Sequence, residues 1–272
     1  MPPPLPGLDP AWSRLVAFND EGGHGRTAHV LDTYNGLDHS PSLTVLCVHG
    51  NPSWSYLWRH VLRAAPGHVR VIAPDHLNMG YSDRTATTRT LAERIDDIDA
   101  LTAALDCTGP VITLAHDWGG PISLGWAARH RSSLVGVVLT NTAVAQPPTS
   151  PPPWLIRLAG SKPLIASVTQ RTRLFVRAGI RLSNPEPPAE VRDGFLAPYA
   201  TSERRAGIRD FVADIPLDPS HVSYGTLHDV AQSLQHLGNV PALLMWGTSD
   251  PVFSEVYLHD LEKRLPHAVV HR

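Results

Sequence analysis

The stretch PVITLAHDWGGPISLGWAARH, residues 110–130, changes its periodicity halfway along. Val111 to Ala115 form a short continuous apolar run, which suits a strand buried on both faces. Pro121 to His130 read as a helix. Between them stand His116, Asp117, Trp118, Gly119 and Gly120. A carboxylate thus sits at the tip of a buried strand, with a tryptophan beside it and glycines behind it. A charge there is expensive to desolvate unless donors surround it.

Working outward, the same alternation repeats. LTVLCVHG, 43–50, reads as a buried strand, WSYLWRHVLRAA as a helix closed by Pro66 and Gly67, and VRVIAPD, 69–75, as the next strand. Thr90 and Glu93 form a capping box for a helix over 90–105. Leu91, Ile95, Ile98, Leu101 and Leu105 fall on one face of it. Glu93, Asp96, Asp97 and Asp99 lie on its other faces and read as a solvated surface rather than a metal site. LVGVVLTN, 134–141, is a further strand. RLVAF and RTAHVLDTY are two early strands separated by a turn. Strand and helix alternate from 43 to 141, an order that builds a mostly parallel sheet with helices on both faces.

After Asn141 the pattern breaks. From 145 to 238 there are helical stretches with Pro-rich joints and no convincing strand. PALLMWGTSD, 241–250, resumes the buried strand, FSEVYLHDLEKRL reads as a helix, and HAVVHR begins a last strand. The chain therefore divides into 12–144, the first part of an α/β core; 145–238, a helical cap; and 239–272, the second part of the core. The sequence stops inside the last strand, so the fold is expected to be truncated at its C-terminal end. In open α/β sheets the ligand site lies at the carboxyl ends of the strands, so the insertion would roof that site.

With 272 residues and 42% hydrophobic content, the chain is long enough for one large domain carrying an inserted cap. A net charge of -2 gives no reason to expect a nucleic-acid or anionic-membrane partner. Cys47 and Cys107 have no ligand or disulfide spacing, which suits a reducing cytoplasm. No apolar run approaches the ~20 residues of a membrane span. The histidines are scattered and none forms a metal motif, so no metal and no cofactor is expected.

Asp117, at a strand-to-helix turn with Gly119 two residues on, has the form of a nucleophile elbow. Asp replaces the usual Ser of GxSxG, and Ala115 replaces the first Gly. On this stretch alone, a helix-capping Asp is an equal reading. Other strand ends break the tie. HGNPSWSYLWR (49–59), PDHLNMGYSDR (74–84) and WGTSDPVF (246–253) each follow a strand and so converge on one end of the sheet.

Together HGNP, HDWGG and WGTSDP resemble the α/β-hydrolase fold, and within it the haloalkane dehalogenase family. The resemblance implies Asp117 as nucleophile, Asn51 and Trp118 as the side-chain donors that hold a leaving group, and Asp250 as the acid that orients a catalytic histidine. On the residues alone, Asn51 can also be a turn residue before Pro52 and Trp118 plain packing. Asn141 stands where some relatives carry the acid. His49 and His116 read as structural, and Asp75 as the anchor of its loop. The family's histidine lies beyond the final strand, and only His267 and His271 fall near it. His271 is several residues too early, which leaves a fragment, or the front of a longer protein, as the simpler reading.

HDWGGPISLGWA, LTNTAVAQP and DFVADIPL are most similar to the β-lactone decarboxylases of bacterial long-chain olefin biosynthesis. That resemblance implies a small hydrophobic substrate and a fused or associated AMP-forming ligase domain as partner. A haloalkane substrate is the rival, with the same residues. Epoxide hydrolysis ranks third, since it calls for two cap tyrosines and only Tyr199 and Tyr224 are on offer. An inactive hydrolase-fold protein is the alternative of another class. Leu155, Ile156, Leu158, Leu164, Ile165, Leu174 and Phe175 are read mainly as cap core, with an alkyl-chain channel as the second reading.

Overall fold

The computed structural model describes residues 1–34, 41–147 and 166–272. Eight strands form one sheet: β1 Ser13–Asn19, β2 Gly25–Asp32, β3 Leu43–Val48, β4 Val69–Pro74, β5 Val111–His116, β6 Leu134–Thr140, β7 Ala242–Met245 and β8 Val269–His271. Their order is β1-β2-β4-β3-β5-β6-β7-β8. Only β1 and β2 run antiparallel to their neighbours. The central strands are buried runs of Val, Leu and Ile, as a sheet covered on both faces requires.

The chain reverses its direction of travel across the sheet at β3. It moves from β3 to β4, then steps back past β3 to β5. Right-handed crossovers then put α1 (Arg59–Ala64) on one face of the sheet, and α2 (Leu91–Ala104), α3 (Gly119–Arg129) and α8 (Glu255–Arg264) on the other. The carboxyl ends of β3 and β5 lie side by side, with Val48 opposite Ala115. This is the switch point at which such sheets bind ligands.

The capping box of α2 forms with both reciprocal bonds, and all five of its predicted apolar positions are buried. One expectation for this helix fails. Asp97 is not on a solvated face but buried, paired with Arg89. Burial raises its pKa to about 6, against the pull of Arg89. A second difference lies at 54–65, read as one helix. A 3₁₀ turn, Ser55–Trp58, precedes α1. Trp54 is extended and buried with its ring stacked on Tyr56, and Asp75 takes the Ser55 N–H at 2.7 Å. Tertiary contacts here outweigh local propensity.

Among the described residues of the insertion there are helices and no strand: a π-helical turn at Ala166–Arg171, α4 Leu174–Arg181, α5 Ala189–Leu196, α6 Ala206–Ala213 and α7 Tyr224–Ser233. Of the apolar residues singled out in the cap, Leu155, Ile156, Leu158, Leu164 and Ile165 lie outside the described residues.

Candidate active site

Asp117 is the first residue after β5, and its φ is +55°. A non-glycine residue in that left-handed region carries strain of about 1 kcal/mol or more, so its surroundings must impose it. They do so through the backbone. The Asp117 N–H donates to the Asn141 carbonyl at 3.1 Å, and its own carbonyl accepts from the Gly120 N–H at 3.0 Å and the Thr142 hydroxyl at 2.5 Å. The turn closes only because neighbouring side chains are absent. A Cβ on Gly119 would stand 2.0 Å from the Val48 carbonyl oxygen, and one on Gly50 would stand 2.1 Å from Asp117 Oδ1.

Asp117 Oδ1 accepts the Asn51 N–H at 2.6 Å, and the Trp118 N–H also bonds the carboxylate. Burial nevertheless pushes the Asp117 pKa up to about 7. The two N–H bonds oppose that rise and the charge of Asp250 adds to it. This poorly hydrated carboxylate is about half ionised near neutral pH and mostly ionised above it.

Above Asp117 lies a cavity of about 380 Å³. Asn51, Asp117 and Trp118 line it, together with Phe175, Val212, Ile215, Leu227, Val252 and Phe253, so its wall is almost wholly apolar. One hydrogen of the Asn51 amide goes to the Ile208 carbonyl of α6 at 3.2 Å. That bond fixes the amide plane and leaves a second N–H for a ligand. The Trp118 indole meets Phe211 edge-on at 5.7 Å, and its N–H has no partner among the described residues.

A buried cation backs these two rings. The Arg94 guanidinium lies 3.8 Å from the centroid of Phe211 and 5.7 Å from that of Trp118. Its partner is Asp214, just past α6, at 2.5 Å. The Ser223 hydroxyl donates to the same carboxylate at 2.6 Å. Burial presses on both charges, lowering the pKa of Arg94 and raising that of Asp214. Sequence reasoning missed this pair, although a signal existed. Arg94 is three residues from Leu91, four from Ile98 and seven from Leu101, so it falls inside the apolar arc of α2.

The other candidates have definite places. Asp250 Oδ1 accepts the N–H groups of Val252 and Phe253 at 2.7 and 3.0 Å. It shapes the turn after β7 and does not line the cavity. Asn141 ties β6 to that turn, exchanging two hydrogen bonds with Gly247 at 3.0 and 2.8 Å. Asp75 accepts from Ser55, Tyr81 and His29, an anchor for its loop. His49 is buried and held by Gly50 and His76, and burial lowers the pKa of His116 to about 4. His271 is an exposed residue of β8, and His267 contacts the Val240 carbonyl. Among the described residues no histidine lines the cavity. Tyr199 is buried with its hydroxyl on the Ser53 carbonyl, Tyr224 is exposed, and neither reaches the cavity. The two cap tyrosines of the epoxide reading are therefore not in place. Phe175 lines the cavity, whereas Leu174 points outward.

A family model described as alpha/beta hydrolase fold matches residues 44–272. The cis-3-alkyl-4-alkyloxetan-2-one decarboxylase of Xanthomonas campestris pv. campestris is 36% identical over 265 residues, 91% of this chain and 88% of that protein. Haloalkane dehalogenase 2 of Mycobacterium bovis is 28% identical over 225 residues, 80% of this chain and 74% of that protein. The solved structure of haloalkane dehalogenase DatA from Agrobacterium tumefaciens C58 superimposes with a TM-score of 0.78 at 21% identity, covering 97% of this chain and 90% of that one.

Proposed function

The chain belongs to the α/β-hydrolase fold family, and on that footing we propose that it is a β-lactone decarboxylase with Asp117 as nucleophile. One observation carries the reading: an apolar cavity whose polar floor is a strained, poorly hydrated carboxylate flanked by two side-chain N–H donors, Asn51 and Trp118. An oxetan-2-one with two alkyl arms fits such a wall, and the relative of 36% identity carries that substrate in its name.

In the proposed reaction the Asp117 carboxylate attacks the saturated ring carbon bonded to the ring oxygen, not the carbonyl carbon. The ring C–O bond breaks, leaving an ester on Asp117 and a free carboxylate. Asn51 and Trp118 donate to the oxygen on which that charge appears. The new carboxylate then departs as carbon dioxide. Its C–C electron pair becomes the double bond, and the ester C–O bond breaks to restore Asp117. No water and no proton is consumed.

The test is a cis-3,4-dialkyl β-lactone incubated in H₂¹⁸O. We expect one alkene and one carbon dioxide per lactone, with no label entering Asp117 by mass spectrometry. Hydrolysis to a hydroxy acid, with label in Asp117, would overturn the reading. Haloalkane dehalogenation is the second reading, favoured by the same Asn51 and Trp118 donors. It predicts halide release with ¹⁸O incorporation at Asp117, because its ester must be cleaved by water.

The donor role has its own prediction. Trp118→Phe keeps an aromatic edge against Phe211 but removes the N–H. The rate constant kcat should fall by about 100-fold or more, the usual cost of one such donor. Steady-state kinetics that show a change in KM alone would mean that Trp118 only shapes the wall.

A further inference from the structure

The chain's even charge balance hides a local excess in the cap. Residues 166–185 hold Arg171, Arg173, Arg177 and Arg181 and no Asp or Glu, in a chain of net charge -2. Arg173 donates to the Ala200 carbonyl at 3.2 Å. Arg171, Arg177 and Arg181 are exposed, and among the described residues no carboxylate pairs with them.

At roughly 100° per residue, α4 resolves into three arcs. Val176 and Ile180 are buried. Phe175, Ala178, Gly179 and Leu182 line the cavity. The outer arc runs Arg177, Arg181, Leu174, Ala178, Leu182 round the helix. Three residues are at once cavity-lining and exposed, Ala178, Leu182 at 55% and Leu217 at 39%, and so they mark the cavity's mouth. On α4, Leu174, 60% exposed, sits between Ala178 and Leu182 on one side and Arg177 and Arg181 on the other. The mouth is thus apolar and bordered on one side by unpaired cations.

We propose that α4 rests on an anionic lipid surface, with Leu174, Leu182 and Leu217 among the acyl chains and Arg177 and Arg181 on the headgroups. An amphipathic helix with cations at its polar edge binds in this way. An acidic protein would satisfy the arginines but would leave the apolar mouth beside them unmatched. A bilayer satisfies both. The cargo rests on the lactone reading: an alkene carries no polar group, so a mouth pressed to the bilayer lets product pass into an apolar phase without crossing water.

Flotation of the full chain tests this, using vesicles of phosphatidylcholine with and without phosphatidylglycerol. The wild type should float with the anionic vesicles only, and high salt should release it. Each basic side chain near an anionic surface contributes roughly five-fold in binding, so R177E/R181E should bind at least about ten-fold more weakly. L174S should also weaken binding. All three proteins should turn over a short-chain, water-soluble lactone equally, while the two variants slow on a long-chain lactone carried in anionic vesicles. A wild type that stays with the buffer, or an R177E/R181E variant that floats like wild type, overturns the proposal. So does binding to polyglutamate through the same arginines without binding to vesicles. If flotation behaves as stated but the short lactone is untouched, the surface stands and the lactone reading falls.

Discussion

Asp117→Ala should leave no measurable alkene and no ester visible by intact mass, a loss of about 10⁴-fold or more, as befits removal of the proposed covalent nucleophile. A variant within ten-fold of wild type would mean that another group attacks. The pH dependence of the wild type belongs to the same prediction. In the proposed reaction only the ionised carboxylate attacks, and burial raises its pKa to about 7. Turnover should therefore be low in acid, rise with pH through about 7 and level off above it. A flat profile from pH 5 to pH 8 would contradict the buried-carboxylate account. The same shift bears on stability with a definite sign. The folded pKa lies above the ordinary value of 3.8. Stability from this group is fully present below 3.8 and is lost as pH rises through about 7. The site is thus held at some cost to the fold, the usual exchange between activity and stability.

Among the described residues, Gly119→Ala should be one of the most damaging methyl groups that can be added. Its Cβ would meet the Val48 carbonyl oxygen at 2.0 Å and the His49 carbonyl oxygen at 3.0 Å. Val48 ends β3, which is paired on both sides, so its backbone cannot retreat. We expect about 3 kcal/mol or more of destabilisation in urea melts, or insoluble protein. Gly225→Ala in α7 is the control. Nothing lies within 4 Å of its Cβ, and alanine favours a helix over glycine by about 1 kcal/mol. Equal stability of the two variants would show that the turn at Asp117 is not closed by backbone contact.

The parts of the molecule that could be read from residue order are those where one local cause dominates. The apolar runs Leu43–Val48 and Val111–His116, the capping box of Thr90 and Glu93, and the glycines after Trp118 each state their structure within a few residues. They place Asp117 and Asn51 at strand ends on one end of the sheet, and the strand order then makes those strands neighbours. What could not be read depends on partners distant in sequence. Asp97 looks solvated until Arg89 is brought against it, and Ser55 looks helical until Asp75 takes its N–H. Arg94 sits inside an apolar arc for a reason supplied 120 residues later by Asp214. Ile208, whose carbonyl holds the Asn51 amide, carries no sign of that task, because every residue has a carbonyl. The excess of arginine in the cap was visible in the sequence but vanished in the chain's net charge.

The pair of Arg94 and Asp214 also decides how a substrate can arrive. Swinging α6 away from the sheet would draw both Asp214 and Phe211 off the guanidinium and strand a full positive charge against the Trp118 ring. Breaking a buried pair in that way costs about 3–5 kcal/mol, and the Asn51 amide would lose its tether to Ile208 in the same movement. The roof is therefore riveted over Asn51 and Trp118, the proposed leaving-group donors, and traffic is directed sideways. On the proposed lactone reading, a long alkyl chain would thread in past Leu182 and Leu217, reactive ring first or last, while the ceiling above Trp118 stays shut. Such a geometry makes the enzyme a sleeve rather than a jaw. Its selectivity would then be set by how far a chain can slide before the ring reaches Asp117.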